Sequence, residues 1–235
     1  MAATEGKKPC EFSGYRMLAE KALGLERSFN QLLFVHPFTI MCWNLAARSV
    51  SVGGLMYDHI TWEGDSLVVT LPKTKNNQEG VDVYPKHVYA NVLDPIICPV
   101  LALGIKLLST PFVDDGTAAS EHIMVFNGYN SETRFDCFAG RPAVRCVQLT
   151  STCQLDRYCQ WLSNLLCELS DEEQLQLGVD PKEFGSHSFR KGVCTLSSSL
   201  VSGPPITSIF LRAGWTLGAV QQRYEYNASF PLIHF

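Results

Sequence analysis

A mostly helical α+β domain with a small antiparallel sheet is what this sequence predicts, and three observations carry the prediction. Apolar residues recur at helical intervals in several separate stretches; between residues 59 and 89 the period changes and β-branched and aromatic residues gather; and no internal repeat, low-complexity tract or linker divides the chain. With 235 residues, 46% hydrophobic and 18% charged, the chain is long enough to bury one sizeable core. The simplest partition is a flexible N-terminus over residues 1–11 and a single domain over 12–235.

The elements follow in order. "YRMLAEKALGL" (15–25) spaces Met17, Leu18, Ala22 and Leu25 as a core-facing helix, and "PFTIMCWNLAARSV" (37–50) reads as a second, with Pro37 suited to its first turn. β-rich runs at Ile60 to Trp62 and Leu67 to Leu71, separated by "EGD", predict an antiparallel hairpin, and "KTKNNQEG" a polar, lysine-bearing hairpin tip. "PVLALGIKLLS" (99–109) is helical again. Residues 110–121 read as a loop before the short apolar run "HIMVF", and residues 127–150 as an irregular connection. Leu155, Cys159, Leu162, Leu166 and Leu169 form one stripe of an amphipathic helix. "SDEEQ" caps a short helix that Gly178 ends, "SHSFRKGVCTLSSSL" is a helix, "SGPP" a break, and "ITSIFLRAG" and "LGAVQQRYEY" two more helices.

Several functions are disfavoured by composition. No apolar run approaches the roughly 18 residues a membrane span needs, and "MAATEGKKPCEF" lacks a signal-peptide core, so we expect an intracellular protein with no membrane partner. Nine cysteines without a C-x-x-C pair point to reduced thiols, and no ligand spacing suggests a metal. The net charge of −4 does not advertise nucleic acid. Basic residues nevertheless recur beside the chemistry-bearing segments: Lys73, Lys75, Arg190, Lys191, Arg212 and Arg223. Trp43, Trp62 and Trp161 read as core or sheet packing.

In "HSFRKG", His187 and Arg190 stand one helical turn apart on one face. Together with "RAGWTLGAVQQRY" some 25 residues later, this resembles the tyrosine recombinase signature, in which H-x-x-R precedes a G-H or G-W pair and the nucleophilic tyrosine follows nine residues on. Trp215 plus nine is Tyr224; Tyr226 is out of register. "WNLAARSVSVGG" and the hairpin with "KTKNNQEG" resemble the segments that carry the family's first arginine and its lysine. The wording of "NLAARS", "KNNQEG", "VYAN", "CPVLALG", "LGVDP" and "HSFRKG" is most similar to the Crypton-type transposon recombinases and their domesticated eukaryotic relatives, over residues 12 to 226.

The resemblance implies the tyrosine recombinase (integrase) catalytic-domain fold, with Arg48, Lys75, His187, Arg190, Trp215 and Tyr224 in the active site. Two arginines suit a phosphodiester transition state, since planar forks of donors match its charged oxygens without a metal. His187 would donate a hydrogen bond or assist proton transfer, and the Trp215 indole N–H would contact the phosphate. Tyr224 would be the nucleophile, and Lys75, a better match than Lys73, the general acid for the leaving 5′-oxygen. Lys73, Lys191, Arg212 and Arg223 would touch the DNA backbone or line a solvated face. The partners implied are double-stranded DNA and a synaptic tetramer, in the nucleus, with no cofactor, no metal and no nucleotide.

Two departures from the family pattern bear on that reading. The match begins almost at Met1, where relatives carry a separate DNA-clamping domain, and the chain ends eleven residues after Tyr224 with "SFPLIHF". Encirclement of DNA and tetramer assembly are therefore in question. Two expectations result: an enzyme that breaks and rejoins DNA, as in integration of a mobile element, or a domesticated module that binds DNA or chromatin without cleaving.

Overall fold

One helix is buried on every side, and the rest of the fold is arranged about it. In the computed structural model, which describes residues 6–24, 29–71, 85–109, 125–126 and 151–215, α2 (Phe29–Asn44) runs buried from Leu32 to Trp43. A helix apolar all round must be enclosed. Around it pack α1 (Phe12–Leu23), α3 (Ser49–Gly53), α4 (Pro99–Ser109), α5 (Ser151–Cys167) and α7 (Ser186–Ser199). Pro37 does not open this helix, as the sequence suggests, but sits inside it. Its missing amide removes one bond to the carbonyl four residues back, a loss that burial on all sides outweighs.

Aromatic rings fill the space between these helices. Tyr15 of α1 stacks on Trp43 of α2 at 4.2 Å between centroids, and Phe38 of α2 stacks on Tyr158 of α5 at 4.3 Å. The Tyr158 hydroxyl shares a 2.9 Å hydrogen bond with Thr39 Oγ1, so this buried phenol is satisfied. On α5 the buried face holds Tyr158, Trp161 and Leu165 as well as the predicted leucines Leu162 and Leu166, and Leu169, two residues past its end, is also buried. Trp62, expected in the core or on the sheet, lies on the sheet: it is 58% exposed, its indole N–H bonded to Gly64 O at 2.9 Å.

The sheet is three-stranded, antiparallel and in the order β1 (Ile60–Glu63), β2 (Ser66–Val69), β3 (Lys86–Tyr89). Gly64 turns the first hairpin with φ +60°, as "EGD" predicts. β2 pairs Val69 with Lys86 and Leu67 with Val88. Along β3, Lys86 and Val88 are buried while His87 and Tyr89 are half-buried, the period of two expected for a one-sided sheet.

The C-terminal described part obeys its capping signals. Ser170 Oγ accepts the Glu173 amide while the Glu173 carboxylate accepts the Ser170 amide, and Gly178 at φ +72° ends α6 (Asp171–Leu177). Gly214 at φ +62° ends α8 (Ile206–Ala213). Residues 7–10, expected as part of a flexible terminus, are instead tied across the start of α7. The Lys8 amide donates to Glu183 O and the buried Cys10's amide to Ser188 O. The six cysteines whose side chains are described are free thiols. No described helix is long and apolar enough to cross a membrane. The predicted helix at 217–226 and the loops at 110–121 and 127–150 lie outside the described residues.

Candidate active site

Four of the six expected active-site residues lie within the described structure, and each is placed by a different piece of backbone. Arg48, half-buried, is the N-cap residue of α3: its carbonyl accepts the Ser51 and Val52 amides at 2.9 and 3.1 Å. His187 and Arg190 occupy the first turns of α7, His187 exposed and Arg190 only 6% exposed. Trp215 follows the left-handed Gly214, where its amide bonds back to Phe210 O at 2.8 Å and its ring meets Phe210 edge-on.

These residues converge. The Arg190 guanidinium carbon lies 5.5 Å from the centre of the Trp215 ring, a cation–π contact. Its Nη2 donates to the carbonyl of Ala213, the last residue of α8, and its buried Nε has no partner among the described residues. Burial, reinforced by the charge of Arg48, pushes Arg190 down to about 10, which leaves it fully charged at neutral pH. His187 is lowered from its ordinary 6.5 by desolvation and then by Arg190, Arg48 and Lys191, so its imidazole is mostly neutral at pH 7. Among the described residues no carboxylate forms an ion pair with Arg48, Arg190 or Lys86. Positive charge that repels itself in a half-buried cluster, with a buried N–H left over, is an arrangement that an oxyanion would relieve.

The expected DNA-backbone contacts fare differently. Arg212 is not on a surface: it is 5% exposed, and its Nη2 donates to Asn44 O and His87 O, each at 2.9 Å. A guanidinium on the inner face of α8 is better matched to the unpaired carbonyls there than to solvent. Lys191, half-buried, donates from Nζ to Lys7 O and so holds the N-terminal segment against α7. Lys73, Lys75, Arg223 and Tyr224 lie outside the described residues.

A basic residue that the sequence reading passed over belongs to the same neighbourhood. Lys86 is buried, its Nζ donates to Leu45 O at 2.8 Å, and Arg212 and Arg190 are close enough to depress its protonation. The signal was present in "YPKHVY": a lysine in phase with Val88 on a strand points inward. A pocket of about 50 Å³ lies nearby, lined in part by Tyr15, Trp43, Asn44, His87 and Arg212. None of Arg48, His187, Arg190 and Trp215 lines it, so it is not the candidate site.

Compared with known proteins, the chain matches no protein-family model and no curated sequence.

Proposed function

We propose that this protein is a DNA strand transferase of the tyrosine recombinase type, with the Arg48, His187, Arg190 and Trp215 cluster as its phosphate site. The observation that carries the reading is the convergence of Arg48 with His187, Arg190 and Trp215, all of them more than 130 residues further along the chain, around a guanidinium with a spare buried N–H and, among the described residues, no acid. A buried structural arginine is ordinarily matched to carboxylates or has all its donors satisfied. Among the described residues none supplies the matching anion, and an incoming phosphate would.

In the mechanism, Arg48 and Arg190 hold the non-bridging oxygens of one phosphodiester and neutralise the charge that grows in the pentacoordinate transition state. The Trp215 indole stacks on Arg190 and turns its N–H to the same group, while neutral His187 donates a hydrogen bond. The Tyr224 oxygen attacks phosphorus as its proton passes to the unprotonated ring nitrogen of neutral His187; the P–O5′ bond breaks, Lys75 protonates the departing 5′-oxygen, and the resealing step returns both protons. The 3′-phosphotyrosyl bond conserves the energy of the phosphodiester. Attack by the 5′-hydroxyl of another strand therefore reseals DNA, returns the phenol and needs no nucleotide. Such transfers join or separate a mobile element and a chromosome, which implies a nuclear DNA partner and two or more protomers on it.

The test is covalent capture on nicked duplex DNA taken from the flanks of the protein's own gene. Wild type is expected to give a denaturation-resistant adduct that maps to Tyr224, and Tyr224→Phe to lose it while DNA affinity stays within about threefold. Equal capture by both proteins overturns the reading. The net charge of −4 favours a second reading, a domesticated module that binds DNA without cleaving it. That module binds the same duplex and forms no adduct.

A further inference from the structure

The turn that delivers Arg48 is strained. α2 closes in a Schellman arrangement, with the Ala46 amide on Trp43 O at 3.0 Å and the Ala47 amide on Cys42 O at 3.3 Å, and Ala46 in the left-handed region at φ +46°. Glycine is the usual residue there, because a Cβ in that region crowds the following carbonyl oxygen. Such a conformation persists where the surroundings over-determine it. The two carbonyls that the turn leaves open are Asn44 O and Leu45 O, and each is met by a buried basic side chain. Arg212 of α8 reaches Asn44 O and, with the same nitrogen, His87 O of β3; Lys86 of β3 reaches Leu45 O at 2.8 Å. Two elements distant in sequence, β3 and α8, are thereby stitched to the last turn before Arg48.

We propose that Lys86 and Arg212 are positioning residues for Arg48: a two-pronged basic lock that holds the strained 44–47 turn so that the Arg48 guanidinium faces Arg190. The inference rests on the phosphate-site reading above for its catalytic consequence, but the lock itself is a property of the turn. Neither side chain needs to touch DNA. Arg212 also links the two halves of the site directly, because its own helix ends at Ala213, the carbonyl that Arg190 holds. A shift of the α2 turn and a shift of α8 are thus coupled through one residue, and the spacing of Arg48 and Arg190 follows both. Burial and the neighbouring guanidinium charges also draw Lys86 toward the neutral amine, which still donates to Leu45 O.

The experiment combines Lys86→Met and Arg212→Lys with Arg48→Lys in two double-mutant cycles, read as the single-turnover rate of adduct formation at saturating nicked duplex. Thermal melts accompany each variant to establish that it is folded. In the wild-type background each lock substitution is expected to slow adduct formation about tenfold to a hundredfold with DNA affinity nearly unchanged. In the Arg48→Lys background the same substitutions should slow it less than about twofold, because the group they position is already gone. Fully additive effects overturn the lock and leave the recombinase reading intact. If wild type itself forms no adduct, the recombinase reading fails, and the lock is decided by hydrogen exchange. Amides of Leu45 to Ser49 should then exchange at least about tenfold faster in Lys86→Met while α5 is unchanged; unchanged exchange at the turn overturns it.

Discussion

Lys86 shows what one side chain's position does to its chemistry. Burial pushes its ammonium down from 10.5 to about 7, and the charges of Arg212 and Arg190 push in the same direction. Its folded value lies below its unfolded value, so the unfolded chain binds the extra proton between those two values. Stability therefore rises with pH above about 7, and the full penalty of the buried charge is present below it. The buried thiols work in the opposite sense. Desolvation raises Cys10, Cys42 and Cys194, the last to about 11, so their contribution is lost only as the unfolded thiols ionise near pH 9. His187, lowered by desolvation, adds a smaller rise at the acid end, discounted for its exposure. Urea unfolding of wild type should gain about 1–2 kcal/mol between pH 7 and 8.5, and Lys86→Met should flatten that rise. A rise of the same size in the variant assigns it to other groups. The inward phase of Lys86 was legible in its strand; its neighbours were not, because Arg190 and Arg212 come from helices more than 100 residues away.

At the scale of an element, α7 depends on an absent side chain. Gly192 belongs to the "HSFRKG" segment, and a Cβ built there falls 2.2 Å from Cys10 O and 2.9 Å from Trp43 Cζ3. The N-terminal segment crosses the helix at this point, tied by the Cys10 amide to Ser188 O at 2.9 Å. On helix propensity alone Gly192→Ala should stabilise by about 1 kcal/mol. The clash is with backbone and a packed indole, neither of which yields cheaply, so the net effect is expected to be destabilisation by about 1–3 kcal/mol. Chemical denaturation measures it, and the sign alone decides: stabilisation would mean that residues 7–10 do not lie on α7. Local signals at this scale were faithful. The Ser170 and Glu173 box, Gly178 and Gly214 mark their helix ends because capping is decided within a few residues. Pro37 misled for the complementary reason: its effect on a helix depends on the enclosure that α1, α4, α5 and α7 provide.

Across the whole molecule, a net charge of −4 coexists with a cluster in which Arg48, His187, Arg190 and Lys86 meet no carboxylate among the described residues. Charge distribution, not the total, governs an anionic partner. Affinity for duplex DNA should therefore fall steeply with salt, by close to one unit of log K per log salt for each phosphate contact. Titration from 50 to 200 mM salt tests this, and a flat response removes DNA as the partner. By itself the sequence determined the helical and strand periods and the capped ends, since each is written in neighbouring residues, and a resemblance of ordered motifs singled out Arg48, His187, Arg190 and Trp215. Only the tertiary structure decided which basic residues are committed to backbone carbonyls and which gather without a carboxylate among the described residues. Arg190 and Arg212 look alike in sequence, yet Arg212 bridges the carbonyls of Asn44 and His87, while Arg190 lies over the Trp215 ring and feels the charge of Arg48. The reason is physical: a guanidinium's partners are set by what packs around it, and here those partners arrive from α2, β3 and α8, which no local pattern brings together.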